Sequence, residues 1–198
     1  AAMTTLVLGL VLFLGIHSIS IFAHGARNAA AAKLGVWGWK AVYGVVAIVG
    51  FWLMIRGYAQ ARLEPVVLYV PPPALRMLAW LLMLPVFVLL LAAYLPGRIK
   101  AATKHPMLTA TKAWALAHLL ANGMLHDVLL FGGFLAWAVA DRISLKRRAD
   151  VRVITGAPAS KLNDVIAVVG GVVLYWLFAF HLHTVLFGVS PMGGMGAG

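Results

Sequence analysis

Histidine is the side chain with the most chemical potential in this chain, and it occurs seven times. His17 and His118 fall inside long apolar stretches, where an ionisable group is costly unless it faces protein and finds a partner. Neutral imidazole is a good iron ligand, and two imidazoles on different helices can hold a haem between them. Cysteine is absent, which excludes thiolate ligands, disulfides and iron–sulfur clusters. The histidines are therefore the candidate ligands of a metal or haem.

A polar stripe surrounds one of these two histidines. His118, Asn122 and His126 recur at every fourth residue, so a helix places them on one face. Small side chains continue that face toward Thr111, which leaves room for a flat ligand. Two interpretations are open: His17 and His118 ligate one iron, or the histidines donate hydrogen bonds between helices within lipid.

The elements that must position these residues are predicted to be membrane-spanning helices. The chain is 63% hydrophobic with a mean hydropathy of +0.96, and 11% of its 198 residues are charged, against about 25% in soluble domains. We predict an all-α integral membrane protein, a single domain over 4–187 with a flexible tail over 188–198. Five apolar segments are long enough to cross about 30 Å of hydrocarbon, and they cover 4–22, 36–56, 74–95, 113–140 and 163–187.

The fourth of these segments is long for one crossing and too short for two. Asn122-Gly123 lies within it, so we expect a tilted helix or one broken there. Five alternating spans place the end of the first and the start of the fourth on the same membrane face. His17 and His118 each lie about five residues, or about 8 Å, from those ends. The sequence thus predicts the two imidazoles at equal depth.

The remaining charges point to lipid as the main partner. The net charge of +11 comes from basic residues in short loops, which suits anionic headgroups and argues against nucleic acid. Asp127 is the one carboxylate clearly inside a predicted span, where it orients a histidine, relays protons, or pairs with an arginine or hydroxyl. No nucleotide-binding or hydrolase motif occurs.

Two linked motifs carry a resemblance to a known family. Residues 104–108 read KHPML and residues 114–123 read WALAHLLANG, with the histidine of the second motif thirteen residues after that of the first. Shorter matches occur at 13–18, 57–62 and 130–134. On these residues the chain resembles, over about 6–148, the NnrU family of bacterial membrane proteins. That family is similar to the plant and cyanobacterial 15-cis-ζ-carotene isomerase.

The resemblance implies a haem b whose iron is bound by His17 and His118. It places His105 of the HPML motif at the membrane edge near the site, and it makes Trp114 and Asn122 further cofactor-binding candidates. The implied setting is a multi-pass protein of a bacterial inner membrane.

Two redox-dependent functions follow from the resemblance: cis–trans isomerisation of a lipophilic polyene such as a carotenoid, or a role in nitric oxide and nitrite metabolism. Carotenoid, quinone or nitric oxide would be the ligand, and an electron donor the partner. Two alternatives stay open. One is a non-enzymatic haem protein for electron transfer or sensing, and the other is a haem-free lipid-binding bundle. Whether the chain is an enzyme is not decided by its sequence.

Overall fold

The computed structural model describes residues 1–148 and 154–193, and the regular structure of these residues is helical. Within these residues, five helical stretches are long and apolar enough to cross a membrane: 2–22, 24–61, 73–94, 125–147 and 162–187. This confirms the predicted fold class and the count of about five spans. The helices in chain order are α1 Ala2–Phe22, α2 His24–Ala61, α3 Pro73–Met83, α4 Val86–Tyr94, α5 Arg98–Thr103, α6 Pro106–Ala121, α7 Leu125–Arg147, α8 Leu162–Leu177 and α9 His183–Phe187, with a π-helical turn at Phe178–Leu182 between the last two.

Local sequence accounts for the helix breaks. Pro85 has no N–H to donate and separates α3 from α4. Gly35 has a φ of 72°, a left-handed conformation that suits glycine, and it kinks α2. The predicted fourth segment is broken at 122–124, where α6 ends and α7 begins.

The chain divides into two compact units, which we call unit 1 (1–76 with 118–150) and unit 2 (77–117 with 151–198). The single domain predicted over 4–187 stays a prediction. Of the predicted tail 188–198, residues 194–198 lie outside the described residues. Gly188 ends α9 with a φ of 67°.

Unit 2 is built on antiparallel packing of α4 and α8. Gly171 of α8 lies against the backbone of Val88, where a Cβ would come within 2.5 Å of its nitrogen. At the start of α8 the Asp164 carboxylate accepts the backbone N–H groups of Arg98 (2.9 Å) and Ile99 (3.1 Å) and so caps α5. These contacts fix the loop around residue 97 against the start of α8.

In unit 1, α1 and α2 are antiparallel and pack backbone against backbone. Gly57 of α2 lies against Leu6, and Gly50 lies against Phe13, where a Cβ would come 2.6 Å from the backbone nitrogen. Gly9 makes the same close contact from α1. Within lipid, helices associate through van der Waals contact rather than the hydrophobic effect, so small residues at the interface are needed for this approach. We call this contact the glycine seam.

The third helix of unit 1, α7, runs parallel to α1. The Phe134 ring lies 5.8 Å from that of Phe13, and Trp137 lies 6.1 Å from His17, so residue numbers rise together on both helices. Five alternating spans predict that the first and fourth run in opposite directions, and this prediction is wrong. The reason is that α6, a helix separate from α7, intervenes.

The loop after α2 is hydrogen-bonded to the start of α7, so the chain between these two helices returns to the place in unit 1 from which it departed. The N–H of Leu125 donates to the Val66 carbonyl (2.8 Å), and the N–H of Leu68 donates to the Gly123 carbonyl (2.8 Å). The chain therefore leaves unit 1 and re-enters it on the same side of that unit. The helix α6, whose 16 residues extend about 24 Å, lies in the stretch between these two points.

The course of the helices places the Lys and Arg residues unequally on the two sides of unit 1. We call the side where α1 and α7 end the basic side and the side where they begin the opposite side. Within the described residues of unit 1, seven Lys and Arg belong to the basic side and three to the opposite side. The positive-inside rule then predicts that the basic side is cytoplasmic. The seven are Arg27, Lys33, Lys40, Arg142, Lys146, Arg147 and Arg148, and the three are Arg56, Arg62 and Arg76.

Single-cysteine labelling tests this topology, and the natural absence of cysteine makes every label unambiguous. Asn28→Cys and Lys146→Cys replace exposed residues and are expected to react with a membrane-impermeant maleimide from the cytoplasmic side. Glu64→Cys, also exposed, is expected to react from the other side. Labelling of positions 64 and 146 from one side would contradict the parallel arrangement of α1 and α7.

Candidate functional site

His17 is held in an aromatic setting in unit 1. Its Nδ1 lies 2.6 Å from the Phe13 carbonyl oxygen, and because a carbonyl only accepts, Nδ1 must carry the hydrogen and donate it. The lone pair is then on Nε2, the arrangement usual in metal-ligating histidines. The rings of Phe13, Tyr43 and Trp137 surround the imidazole at 4.3, 5.4 and 6.1 Å between centroids.

A second polar group beside His17 has no partner. The indole Nε1 of Trp137 is buried and has no hydrogen-bond acceptor among the described residues. Leaving such a donor unsatisfied costs free energy, so a ligand that brings an acceptor would be stabilised there.

His118 lies on the last turn of α6, within unit 1. Its ring stacks on Phe131 of α7 with 4.4 Å between centroids and 21° between planes. The Asn122 amide donates to the His118 carbonyl at 3.0 Å. These two members of the polar stripe predicted from the sequence are therefore in direct contact. His126, the third member of that stripe, lies beyond the helix break on α7.

The two candidate ligands pack against the same helix at different levels. His118 contacts α7 at Phe131 and His17 contacts it at Trp137, six residues or about 9 Å farther along. Phe134 lies between these levels and packs on Phe13. The prediction of equal depth is wrong, because it treated 113–140 as one helix running opposite to α1.

The remaining predicted cofactor-binding residues divide between the units. In unit 2, His105 immediately precedes α6, and its N–H donates to the Thr103 carbonyl at 2.7 Å. Trp114 packs on the small core of Val86, Leu89 and Ala110 in the same unit. Asn122 belongs to unit 1. Cofactor contacts of these three residues stay predictions.

A buried polar cluster lies toward the opposite side of unit 1. Tyr58 donates its hydroxyl to Oδ1 of Asp127 at 2.6 Å, and the Met124 N–H donates to Oδ2 at 3.2 Å. His126 Nε2 is 3.6 Å from Oδ1, and His126 and Asp127 are each 4% exposed. Asp127 therefore pairs with a hydroxyl of another helix, one of the roles that its place inside a span predicts. No sequence signal singled out Tyr58 as its partner, although Tyr58 lies in the GYAQAR match at 57–62.

A clamp formed by Tyr69 holds the break between α6 and α7. Its hydroxyl donates to the carbonyls of Leu119 and Asn122, the latter at 2.8 Å, and its N–H donates to the Gly123 carbonyl. Burial, and then the charge of Asp127, raise the pKa of Tyr69 above its ordinary value, so the phenol stays a neutral donor. Gly123 lies directly against the Tyr69 backbone, which leaves no room for a Cβ.

An apolar groove of about 500 Å³ in unit 1 includes Gly15, Ile19 and Phe22 of α1. Gly15 and Ile19 point about 200° away from His17 on the helix, so this groove does not adjoin the imidazole. A further cavity, of about 180 Å³, lies at the α6–α7 break and is lined by Tyr69, Val70, Pro71, Arg76, Ala121, Asn122, Gly123, Met124 and Asp127.

Among residues 1–148 and 154–193, no group of three His, Asp or Glu side chains could hold a metal. A porphyrin supplies four nitrogen ligands itself and needs one or two axial groups from protein. The Nε2 of His17 is a candidate for such an axial group, and its binding to haem stays a prediction.

Fold and site together define a multi-pass membrane protein in which His17, His118 and His126 pack against aromatic rings of neighbouring helices. A family model described as NnrU protein matches residues 5–191, and the chain therefore belongs to the NnrU family. The match confirms the resemblance seen at 6–148 and extends it to nearly the whole chain. No curated protein and no solved structure matches it.

Proposed function

We propose that this chain is a membrane haem b protein in which His17 and His118 are the axial ligands. The observation that carries the proposal is the Nδ1–H bond from His17 to the Phe13 carbonyl, because it leaves Nε2 available for iron. Membership of the NnrU family is compatible with a membrane protein whose function is related to nitrogen oxides or carotenoids.

When bound, haem would supply a redox-active iron for a small ligand or for electron exchange with a polyene. The chain's own residues do the rest. His17 is oriented by Phe13, and three aromatic rings pack around it. The buried Nε1–H of Trp137 can donate to an accepting ligand.

Nitric oxide is the substrate class that these surroundings favour. Trp137 offers a hydrogen bond that a diatomic nitrogen oxide accepts and a hydrocarbon polyene does not. Polyene isomerisation is the second candidate, favoured by the apolar groove along α1.

An absorption spectrum tests the proposal. Protein purified in detergent from haem-replete cells should show a Soret band, and after reduction the α and β bands of haem b. Addition of nitric oxide to the reduced protein should shift the Soret band, and ζ-carotene should stay unconverted. A colourless protein would overturn the proposal and leave a lipid-binding bundle. A haem unreactive toward both compounds would identify an electron-transfer or sensor protein.

A further inference from the structure

The 180 Å³ cavity lies at the height where lipid headgroups are expected. Its lining residues come from the loop before α3 and the junction of α6 and α7, at the side where α2 ends and α7 begins. These are the ends of membrane-spanning helices, so the cavity opens in the interfacial region rather than in the hydrocarbon. A ligand there can come from the bilayer surface.

Arg76 gives the cavity a cation that has no counter-ion. The residue is partly buried, and among the described parts of the chain its side chain makes no hydrogen bond or ion pair. Its planar donors suit the oxygens of a phosphate, which they can bind in pairs.

Asp127 gives the same cavity an anion. Tyr58 and the Met124 N–H donate one hydrogen bond to each carboxylate oxygen, and His126 Nε2 lies 3.6 Å from one of them. A carboxylate accepts about four hydrogen bonds, so both oxygens can still accept from a ligand. Arg76 and Asp127 are not within ion-pair distance of each other, although both line the cavity.

A separated cation and anion in one interfacial cavity are complementary to a zwitterion. We propose that the cavity binds the headgroup of a phosphoethanolamine lipid, with the phosphate on Arg76 and the primary ammonium on Asp127. Phosphocholine has the same charges but no N–H to donate, and phosphoglycerol has no cation. Val70, Pro71, Ala121 and Met124 provide an apolar wall for the glycerol end of the lipid. The proposal does not depend on haem.

Short-chain lipids with phosphoethanolamine, phosphocholine or phosphoglycerol headgroups test this assignment by native mass spectrometry of the purified full chain. The phosphoethanolamine lipid should bind about tenfold more tightly than the other two, as expected for charge-assisted hydrogen bonds at both ends. Arg76→Gln should weaken binding of all three lipids, because each carries the phosphate. Asp127→Asn should reduce phosphoethanolamine binding to the phosphocholine level.

Two matched variants serve as controls. Arg56→Gln removes an exposed arginine that stacks on Trp52 outside the cavity, and Asp164→Asn changes a carboxylate in unit 2. Both should bind the three lipids like the unmodified protein. If Asp127→Asn does not fold, the comparison of headgroups and the Arg76→Gln variant still test whether the cavity binds a phosphoethanolamine lipid.

Three results would overturn the proposal. The first is equal binding of phosphoethanolamine and phosphocholine lipids by the unmodified chain. The second is undiminished binding by Arg76→Gln. The third is equally tight binding of soluble phosphoethanolamine without acyl chains, which would identify a water-soluble ligand instead of a lipid.

Discussion

His17→Ala should remove most of the haem from the purified protein and abolish the low-spin spectrum of what remains. The reason is that His17 offers an Nε2 whose tautomer is set by the Phe13 carbonyl, and alanine offers no ligand. His118→Ala should convert a six-coordinate low-spin haem to a high-spin one. Both changes are read from the Soret and α bands and from the haem content per chain.

Histidines outside the proposed pair provide the controls. His126→Ala and His181→Ala should leave the haem spectrum unchanged, since His126 packs against Tyr58 and Asp127 and His181 lies in unit 2. Added imidazole should restore haem to a His17→Gly variant, which separates loss of a ligand from loss of folding. An unaltered low-spin spectrum in both His17→Ala and His118→Ala would refute the ligand assignment.

Comparing His17→Ala with His118→Ala also tests whether both imidazoles bind the same iron. The two rings contact α7 about 9 Å apart, so they must come closer together before one iron can bind both. A change confined to His17→Ala would show one axial histidine, with His118 stacked on Phe131 in a packing role. Changes in both variants would show that the end of α6 moves toward His17 when haem binds.

Gly57→Leu should unfold the protein at a much lower temperature than the unmodified chain. Gly57 lies against the backbone of Leu6, so any side chain must push α1 and α2 apart and remove the van der Waals contacts of the glycine seam. Overpacking of this kind costs about 3 kcal/mol or more, because a backbone cannot move aside like a flexible side chain. Thermal denaturation in detergent should show a fall in Tm of roughly 6–12 °C.

Gly44→Leu is the matched control for this prediction. Gly44 lies on the same helix, but a Cβ there meets nothing within 4 Å. Gly44→Leu therefore changes helix propensity and side-chain size by the same amount without disturbing the glycine seam. The Tm of this variant should stay near that of the unmodified chain. Equal losses in the two variants would mean that close approach of α1 and α2 does not stabilise the fold.

Local sequence determined the helical membrane class and most helix ends. Apolar length alone predicted five spans, because a helix needs about 20 residues to cross hydrocarbon. Asn122-Gly123 marked the break between α6 and α7, and the HPML and WALAH motifs identified the family. Each of these signals is contained in a short run of residues, so no tertiary information was needed.

The direction of α7 was decided by tertiary structure. Span counting missed the return of the chain, because α6 has 16 residues and falls short of a full crossing by length. Counting spans therefore predicted the wrong direction for α7 and placed His118 at the depth of His17. It also divided the basic residues almost equally between the two membrane faces. The contacts of α7 with α1 correct all three.

Tertiary structure also decided which polar groups meet. Tyr58 and Asp127 are 69 residues apart, and Tyr69 is 50 residues from the Leu119 carbonyl to which it donates. No periodicity or motif links residues at such separations, because only the packing of α2 and its following loop on the α6–α7 junction brings them together. The bond from His17 to Phe13, in contrast, joins residues four apart on one helix. It therefore follows from the local sequence, whereas the buried cluster around Asp127 depends on tertiary packing.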